Sequence, residues 1–341
     1  MKRIRIPMTM AAVVFAVAFS FANTRAQSEV AQAFDLESGW NAAFLEVQPM
    51  DRRPATVFDP PSEDNPDSQG GLENLESAWT WLSKETTAEF IQDPSEELYG
   101  QPGWLAHFAP GTAGFLTNLH AVLGNQAYLL KMSDAETWEV TGPPAMRKIR
   151  WVADSFNLVG FHLDPQNPPT FAAFFAPSAA HAGQAVYRLN NETGKWEFVQ
   201  DPASAVMRSG EAYWVYCNGS STYQGPLKLD LPVSSGLHYG AGLTRQTITL
   251  TNLSSVTRTV TLALSGTVVL YYREYDPQEG YFTWRPLGQM PPIAVQPESA
   301  RNVWLEVRRE QMAVGLSDGL LQIADDRGIR IRAPVSAERV Q

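Results

Sequence analysis

Hydrophobic and polar positions alternate along much of this chain, in short segments that are typical of half-buried β-strands. Residues 247–252 and 259–264 show the alternation most clearly, and the aromatic run at 213–217 also predicts a strand. Gly and Pro are frequent, with 24 residues of each, and they separate these segments as turns. The pattern predicts an all-β protein built from many short strands.

One stretch of the chain occurs twice. Residues 85–94 contain Glu-Phe-aliphatic-Gln-Asp-Pro, and residues 192–202 contain the same order about a hundred residues later. An aromatic-Asn pair opens each segment, at Trp40-Asn41 and Phe156-Asn157, and an Ala-Tyr pair follows near each end, at 127–128 and 212–213. We therefore expect an internal duplication: two tandem, pseudo-symmetric small β modules that pack face to face around a shared core.

The character of the chain changes near residue 236. Roughly seven alternating segments follow without any helical period, which favours an immunoglobulin-like β-sandwich. The predicted layout is a signal peptide at 1–26, the first β module at 27–150 with an insertion at 95–118, the second β module at 151–234, and the sandwich at 235–341.

The N-terminus has the order of a secretory signal. Lys2, Arg3 and Arg5 precede an apolar run at 8–21, and small residues suit cleavage after Ala26, with cleavage after Ala22 as the alternative. The run is short for a membrane span, which needs about 20 residues. We expect a secreted or periplasmic protein.

The repeated pattern resembles a duplicated β repeat of exported bacterial proteins of unassigned function, in which Gly-Trp-Asn-Leu and Gly-x-Tyr-Trp recur. Gly39-Trp40-Asn41 and Ala212-Tyr213-Trp214 carry the resemblance, which covers roughly residues 36–232. The first copy departs from the pattern at Ala42-Ala43, where Leu is usual, and the second has Phe156 in place of Trp. The resemblance implies a fold and an exported bacterial protein, and it brings no catalytic residue.

Net charge restricts the class of partner. The formal charge is −10, which argues against nucleic acid and anionic membranes, since both require a basic surface. We expect an extracellular protein or a polysaccharide as partner. No spacing of the five histidines indicates a metal site, and no nucleophile or phosphate-loop motif is present, so we expect no cofactor and no metal.

Two places where the copies differ are candidate sites. The insertion carries Tyr99, Trp104 and Phe108, which we consider as an aromatic ligand-binding platform; the alternative is that Trp104 and Phe108 complete an enlarged core. The acidic loop 59–71 offers oxygen ligands for calcium at Asp59, Asp64, Asn65 and Asp67. It lacks the spacing of a helix-loop-helix site, and a solvated loop is the alternative.

Tandem β modules without a recognisable catalytic constellation favour a non-catalytic binding or assembly protein of the cell surface or the extracellular space. The alternative function is a carbohydrate-active enzyme or its carbohydrate-binding subunit, suggested by the aromatic content and the insertion. A cleft with two carboxylates about 5–10 Å apart is the feature that would favour an enzyme.

Overall fold

The computed structural model describes residues 28–63, 65–66, 68, 71–82, 93–94, 98, 100–111 and 113–341. The predicted signal peptide at 1–26, most of the repeated stretch 85–94 and Tyr99 lie outside these residues. Strands dominate the described chain, whose α-helices are two short ones, α1 (Pro54–Phe58) and α2 (Phe171–Phe175). The predicted all-β fold class is confirmed, and no helix in the described ranges is long and apolar enough to cross a bilayer.

The first part of the chain forms a ribbon and a sheet. Its strands are β1 (Val30–Leu36), β2 (Gly39–Leu45), β3 (Leu75–Trp81), β4 (Trp104–Phe108), β5 (Gln126–Met132) and β6 (Glu136–Gly142). Strands β1 and β6 pair as an antiparallel ribbon. The other four form an antiparallel sheet, called sheet I, in the order β2-β5-β3-β4. A 3-10 helix at Gly114–Leu116 follows β4.

Sheet II has the same arrangement. Its strands are β7 (Ser155–Val159), β8 (Val186–Asn190), β9 (Lys195–Phe198) and β10 (Tyr213–Cys217). The spatial order is β7-β10-β8-β9, so in both sheets the last strand lies between the first and the second, and the third forms an edge. Helices α1 and α2 each follow the first strand of their sheet.

An asparagine fixes the entry to the first strand of each sheet. The Asn41 side chain accepts from the Glu37 backbone N–H at 2.9 Å and donates to the Glu37 carbonyl at 2.7 Å. The Asn157 side chain makes the same pair of bonds to Val152, at 2.8 and 3.1 Å. Because both side chains are buried, these bonds satisfy their polar atoms, which explains the aromatic-Asn motif as a structural requirement.

A buried tyrosine fixes the loop before the last strand of each sheet. The Tyr128 hydroxyl accepts from the Leu123 N–H at 2.7 Å and donates to the Leu123 carbonyl at 3.1 Å. The Tyr213 hydroxyl makes the same two bonds to Arg208, at 2.7 and 3.3 Å. Burial raises the pKa of both phenols, so each stays protonated and able to donate.

Sheets I and II bury a common aromatic core. Sheet I contributes Trp40, Phe44, Trp79, Trp81, Trp104, Ala106, Ala127 and Leu129. Sheet II contributes Leu158, Leu189, Trp196 and Trp214, and Ala212 precedes its last strand. Two backbone hydrogen bonds also cross between the sheets, from Phe44 N to Gly210 O at 2.7 Å and from Ala212 N to Ala42 O at 3.0 Å.

The opposite face of sheet II packs on the C-terminal part of the chain. Val159, Val186, Tyr213 and Val215 belong to one apolar cluster with α2 and the interior of the sandwich. Both faces of β10 are therefore covered, which explains the uninterrupted apolar run at 213–217. Cys217 closes this strand, fully buried, and burial raises the pKa of its thiol, so it behaves as a small core residue.

The C-terminal part is an immunoglobulin-like β-sandwich, as expected. Its strands are β11 (Leu227–Asp230), β12 (Leu237–His238), β13 (Arg245–Asn252), β14 (Arg258–Gly266), β15 (Leu270–Asp276), β16 (Tyr281–Pro286), β17 (Ile293–Val295), β18 (Ser299–Val307), β19 (Gly315–Asp325) and β20 (Arg330–Arg339). Sheet III has the order β11-β13-β18-β15-β16, and sheet IV has the order β12-β20-β19-β14-β17. Two 3-10 helices lie at Leu287–Gln289 and Arg309–Gln311.

Strand β11 ties the second β module to the sandwich. It precedes the predicted boundary at residue 235, yet it pairs with β13, with Leu227 opposite Asn252. A short segment on the module side of the boundary therefore completes sheet III. The domain boundaries themselves stay a prediction.

The segment 95–118, predicted as an insertion, supplies β4 to sheet I. Trp104–Phe108 pairs with β3 at the sheet edge, the position that Lys195–Phe198 occupies in sheet II. The segment is therefore part of the scaffold of sheet I. The long-range pairing of β4 with β3 places Trp104 and Ala106 in the shared core.

Candidate functional site

The predicted platform residues lie in or beside the core. Trp104 is 7% exposed, and its ring centroid is 6.1 Å from that of Trp214. Phe108 is half-buried and meets the Trp79 ring edge-on at 5.4 Å, while Tyr99 lies outside the described residues. Trp104 and Phe108 therefore lie where the alternative interpretation expects them, as residues that complete the core. Ligand binding by Tyr99, Trp104 and Phe108 stays a prediction, and these contacts do not support it.

Hydrogen bonds hold the described residues of the acidic loop 59–71 against the rest of the first β module. The Asp59 Oδ1 atom lies 2.7 Å from His107 Nε2, and both residues are buried. The Asn65 side chain donates to the Ala55 carbonyl at 2.8 Å. Asp59 and Asn65 therefore already have protein partners, while Asp64 and Asp67 lie outside the described residues. Within the described ranges, no group of three or more His, Cys, Asp or Glu residues is placed to hold a metal ion.

A different aromatic surface lies on the outer side of sheet III, across β15, β16 and β18. Leu270 and Tyr272 point into the sandwich, so the alternation of β15 places Arg273 and Tyr275 on the outer face. The register aligns Tyr275 with Phe282 and Arg273 with Trp284. We call this surface the aromatic–arginine face; it comprises Arg245, Tyr271, Arg273, Tyr275, Phe282, Trp284, Trp304 and Arg308.

Three aromatic side chains of this face are unusually exposed to solvent. Tyr275 is 52% exposed, Phe282 49% and Trp304 40%. Two other large aromatics of the described chain are exposed to a comparable degree: Phe198 lies on sheet II, and Tyr281 precedes Phe282 at the start of β16. Single exposed hydrophobic residues are ordinary, whereas a contiguous exposed patch marks a surface used for interaction.

Arginine side chains stack against the aromatic rings of this face, an arrangement that we call the ladder. The Arg273 guanidinium lies 4.0 Å from the centroid of the Phe282 ring and 5.5 Å from that of Trp304. Arg245 lies 5.0 Å from the Trp284 ring. Phe282 also meets Tyr275 edge-on at 5.3 Å. Each cation–π contact contributes about 0.5–1 kcal/mol at an exposed site, so the contacts order the face before any partner arrives.

A buried carboxylate anchors one side of the ladder. Glu306 accepts from Arg245 Nε at 2.6 Å and from Arg308 at 2.8 Å. Arg308 in turn lies 4.8 Å from the Tyr271 ring. Arg245 and Arg308 therefore share the Glu306 carboxylate, and Arg308 also lies 4.0 Å from Glu310. Arg273 adds a third positive charge beside the rings. The arrangement suits the binding of a surface that is both apolar and acidic.

Sequence reasoning missed this face. The sequence of 270–286 has aromatic residues at both inward and outward positions of its strands, and aromatic residues are common in β-strands whether or not they bind a partner. The pattern that could have indicated this face is the alternation of side chains. Once Leu270 and Tyr272 are assigned to the interior, the side chains of Tyr271, Tyr275, Phe282 and Trp284 all fall on the solvent side of the sheet.

No family model matches this chain, and no curated protein does. Among solved structures, it is similar to a FixG-related protein from Vibrio parahaemolyticus, with 12% identity over 33% of this chain and 96% of that one, at a TM-score of 0.21. The periplasmic chaperone SfaE matches with 10% identity over 33% of this chain and 56% of its own, at a TM-score of 0.23.

A family 123 glycoside hydrolase from Clostridium perfringens matches with 10% identity over 34% of this chain and 27% of its own, at a TM-score of 0.24. Similarities at this level carry no information on activity, ligand or partner. The function has to be argued from the chain's own surfaces.

Proposed function

We propose that this chain is an exported, non-catalytic binding or assembly protein of the cell surface or the extracellular space, and that the aromatic–arginine face contacts its partner. The observation that carries the proposal is the ladder in which Arg273 lies against Phe282 and Trp304 on an open sheet face. Trp, Tyr and Arg are the residues that dominate binding energy at protein interfaces. The ladder fixes their rotamers, which lowers the entropy that binding has to offset.

A protein partner fits this face better than a sugar. Arg273 lies over the Phe282 ring at 4.0 Å, where a sugar ring would otherwise stack. Arg245, Arg273 and Arg308 outnumber the neighbouring carboxylates of Glu306 and Glu310, which favours a partner that presents acidic side chains among apolar ones. Salt is then expected to slow association more than it speeds dissociation.

Polysaccharide binding is the second candidate. The solvent exposure of Tyr275 and Trp304 favours it. The neighbouring polar residues Thr249 and Asn302, joined by a 2.8 Å hydrogen bond on the same sheet, favour it as well. Aromatic rings beside hydrogen-bonding groups are the usual composition of a sugar site. A glycan array with wild-type protein and Trp304→Ser tests this candidate directly: specific binding that is lost in the variant favours a sugar ligand.

Site-specific photocrosslinking tests the protein partner. A photoreactive phenylalanine analogue is placed at Tyr275, on the face, and in parallel at Val314, which is 56% exposed and precedes a strand of sheet IV. A partner that is captured in the native host from position 275 and not from position 314 is then purified. Equal capture from both positions argues against a specific face.

Binding of that purified partner is compared across variants. Trp304→Ser and Arg273→Glu are expected to weaken affinity by about 30-fold or more, since hot-spot truncations cost about 2 kcal/mol or more. Leu316→Ser changes a residue that is 70% exposed on sheet IV, and it serves as the matched control with unchanged affinity. Unaltered affinity in both face variants would refute the proposal.

Export and duplication belong to the same proposal. The basic start and apolar run of residues 1–26 support export, and sequencing the N-terminus of the secreted protein tests it, with Gln27 as the expected first residue. The shared strand order of sheets I and II and the equivalent bonds of Asn41 and Asn157 support two copies of the exported bacterial repeat.

A further inference from the structure

A cavity of about 370 Å³ opens where sheets II and III meet the segment between β6 and β7. This volume lies within the range of small-molecule sites, which commonly form at junctions between domains. The cavity includes β11, one edge of sheet III, whereas the aromatic–arginine face extends over β15 and β16 to the other edge. The two surfaces are therefore separate, and the cavity is called the junction cleft below.

The walls of the junction cleft are largely apolar. The apolar side chains that line it include Phe161, Phe174, Leu227, Leu229, Ile329 and Ile331. They come from sheets II, III and IV or the segments beside them, and Phe161, Phe174, Leu227 and Ile329 are buried. Such walls accept the apolar body of a ligand, which gains about 25 cal/mol for each Å² removed from water.

The rim of the cleft is positively charged. Arg147, Lys148 and Lys228 line it together with one acid, Asp230, which lies 2.7 Å from Lys228 and 3.7 Å from Lys148. Arg147 forms no ion pair with any described residue. Against a formal charge of −10 for the whole chain, this net positive rim is a local exception that attracts anions.

The segment that carries Arg147 and Lys148 is fixed before any ligand binds. The Gln224 side chain accepts from Ile149 N at 2.8 Å and donates to Ile149 O at 3.0 Å, and Ala145 N donates to Glu46 O at 2.8 Å. Because the main chain is held on both sides of Arg147, little backbone entropy is lost when a ligand binds.

His162 and Asn125 hold the same segment from inside the cleft. The Asn125 Nδ2 donates to the Arg147 carbonyl, so its Oδ1 faces His162 Nε2 at 2.7 Å and accepts a hydrogen bond from it. A second cavity, of about 250 Å³, borders this segment as well and adds Arg150 to the basic set. The cationic side chains thus project from a rigid support beside an apolar hollow.

The geometry points to a binding site for a small organic anion with an apolar body, whose head group pairs with Arg147 and Lys148 while its apolar part fills the cleft. A carboxylate and a phosphate head group share this chemistry. The apolar walls require a chain or ring behind the anion, so a bare inorganic anion lacks most of the contact area.

Isothermal titration calorimetry of the full chain tests the site with decanoate and decyl phosphate, each below its micelle concentration. Saturable binding of either anion at one site per chain supports the proposal, and the tighter anion identifies the head group. Decanol is the neutral probe with the same apolar body. Equal binding of decanol and the anions contradicts a role for the charged rim.

Variants locate the site. The double variant Arg147→Gln, Lys148→Gln removes exposed charges and is expected to weaken anion binding by about tenfold or more, because the charge-assisted bonds to the head group are lost. Arg52→Gln changes an exposed arginine that does not line the cleft, and it is expected to bind like the wild type. Leu229→Trp fills the hollow and is expected to abolish binding. The absence of saturable binding to the wild type, or undiminished binding in the double variant, overturns the inference.

Discussion

The indole rings of Trp81 and Trp214 meet between sheets I and II, with ring centroids 5.7 Å apart and planes tilted by 57°. Trp214 also lies 6.1 Å from Trp104 and 6.2 Å from Trp196, so one side chain of sheet II touches three other tryptophans of the shared core. Offset and edge-on arrangements of this kind favour aromatic pairs beyond their buried area. The contact makes the folding of the two sheets interdependent.

Trp214→Ala is therefore expected to lower the free energy of unfolding by about 3–5 kcal/mol, because it leaves a cavity among the remaining indoles. Urea unfolding followed by circular dichroism measures the loss. Leu316→Ala, at a position that is 70% exposed, is the control and should change stability by no more than about 0.5 kcal/mol. A Trp214→Ala protein as stable as the control would show that the two sheets do not depend on this contact.

The sequence predicted the elements of this fold better than its surfaces. Alternation at 247–252 predicts β13, because Ile248 and Leu250 are driven into the sandwich while the threonines between them face outward. Trp104 is a sequence-based candidate for a ligand platform because it lies with Tyr99 and Phe108 where the two copies differ, yet its pairing with β3 places it in the core. Burial of Trp104 depends on strands that are distant in sequence, and alternation within one segment carries no information about them.

The aromatic–arginine face and the junction cleft depend on still more distant contacts. Arg273 meets Trp304 because β15 and β18 are neighbours in sheet III, although a loop and two further strands separate them along the chain. Arg147 and Lys228 both line the junction cleft, although they are distant from each other in the chain. Local composition identified neither pair, since strand order decides which side chains share a surface.

A buried ion pair lies in the interior of the sandwich. Arg258 Nη1 donates to Asp325 Oδ2, and the second Asp325 oxygen accepts from the backbone N–H groups of Arg327 and Ile329, at 3.0 and 2.8 Å. Arg258 Nε also donates to Ser254 Oγ at 3.2 Å. Both charged side chains are almost fully buried, so removal of one leaves the other uncompensated.

Asp325→Ala is expected to destabilise the protein by about 3–5 kcal/mol for that reason. Glu76→Ala breaks the exposed pair with Lys131, whose side chains are 44% and 43% exposed, and should cost less than about 1 kcal/mol. Urea midpoints of both variants in low and in high salt give the comparison. A loss in Asp325→Ala that is small, or that disappears in high salt, would contradict the assignment.

The hydroxyl groups of Tyr128 and Tyr213 offer a matched pair of tests. Each contacts both the N–H and the carbonyl of a residue five positions earlier. The single hydroxyl proton of Tyr213 is shared between the Arg208 carbonyl at 3.3 Å and the Glu211 carboxylate at 2.8 Å. Tyr128→Phe and Tyr213→Phe should each lower the free energy of unfolding by about 1–3 kcal/mol, because buried backbone groups lose their partner.

Tyr281→Phe, on a residue that is 54% exposed, is the control and should be nearly neutral. Thermal unfolding of the three variants checks the prediction. A loss in only one of the two buried tyrosines would mean that the loops before β5 and β10 are not anchored equivalently, and it would weaken the proposed duplication.

Glu46 is expected to make the free energy of unfolding depend on pH in the acidic range. Its carboxylate lies 3.5 Å from His162 Nδ1 and accepts from Ser209 Oγ at 2.9 Å. Burial raises the pKa of Glu46, but the hydrogen bond and charge of His162, the Ser209 hydroxyl and the charge of Arg330 outweigh it, so the pKa lies below its ordinary value of 4.5. The folded state therefore holds Glu46 ionised at a pH where the unfolded chain begins to bind a proton.

Because the folded pKa is the lower one, the unfolded state binds more protons as the pH falls through 4.5, and the contribution of Glu46 is lost progressively below that value. Glu46→Gln should be less stable than the wild type at neutral pH, and the difference should shrink toward about pH 3. Urea unfolding across this range measures it. Glu310→Gln, whose parent side chain is 64% exposed, is the control with a nearly constant offset. If the difference in unfolding free energy between Glu46→Gln and the wild type also stays constant with pH, then the ionised Glu46 carboxylate is not what stabilises its contacts with His162 and Ser209.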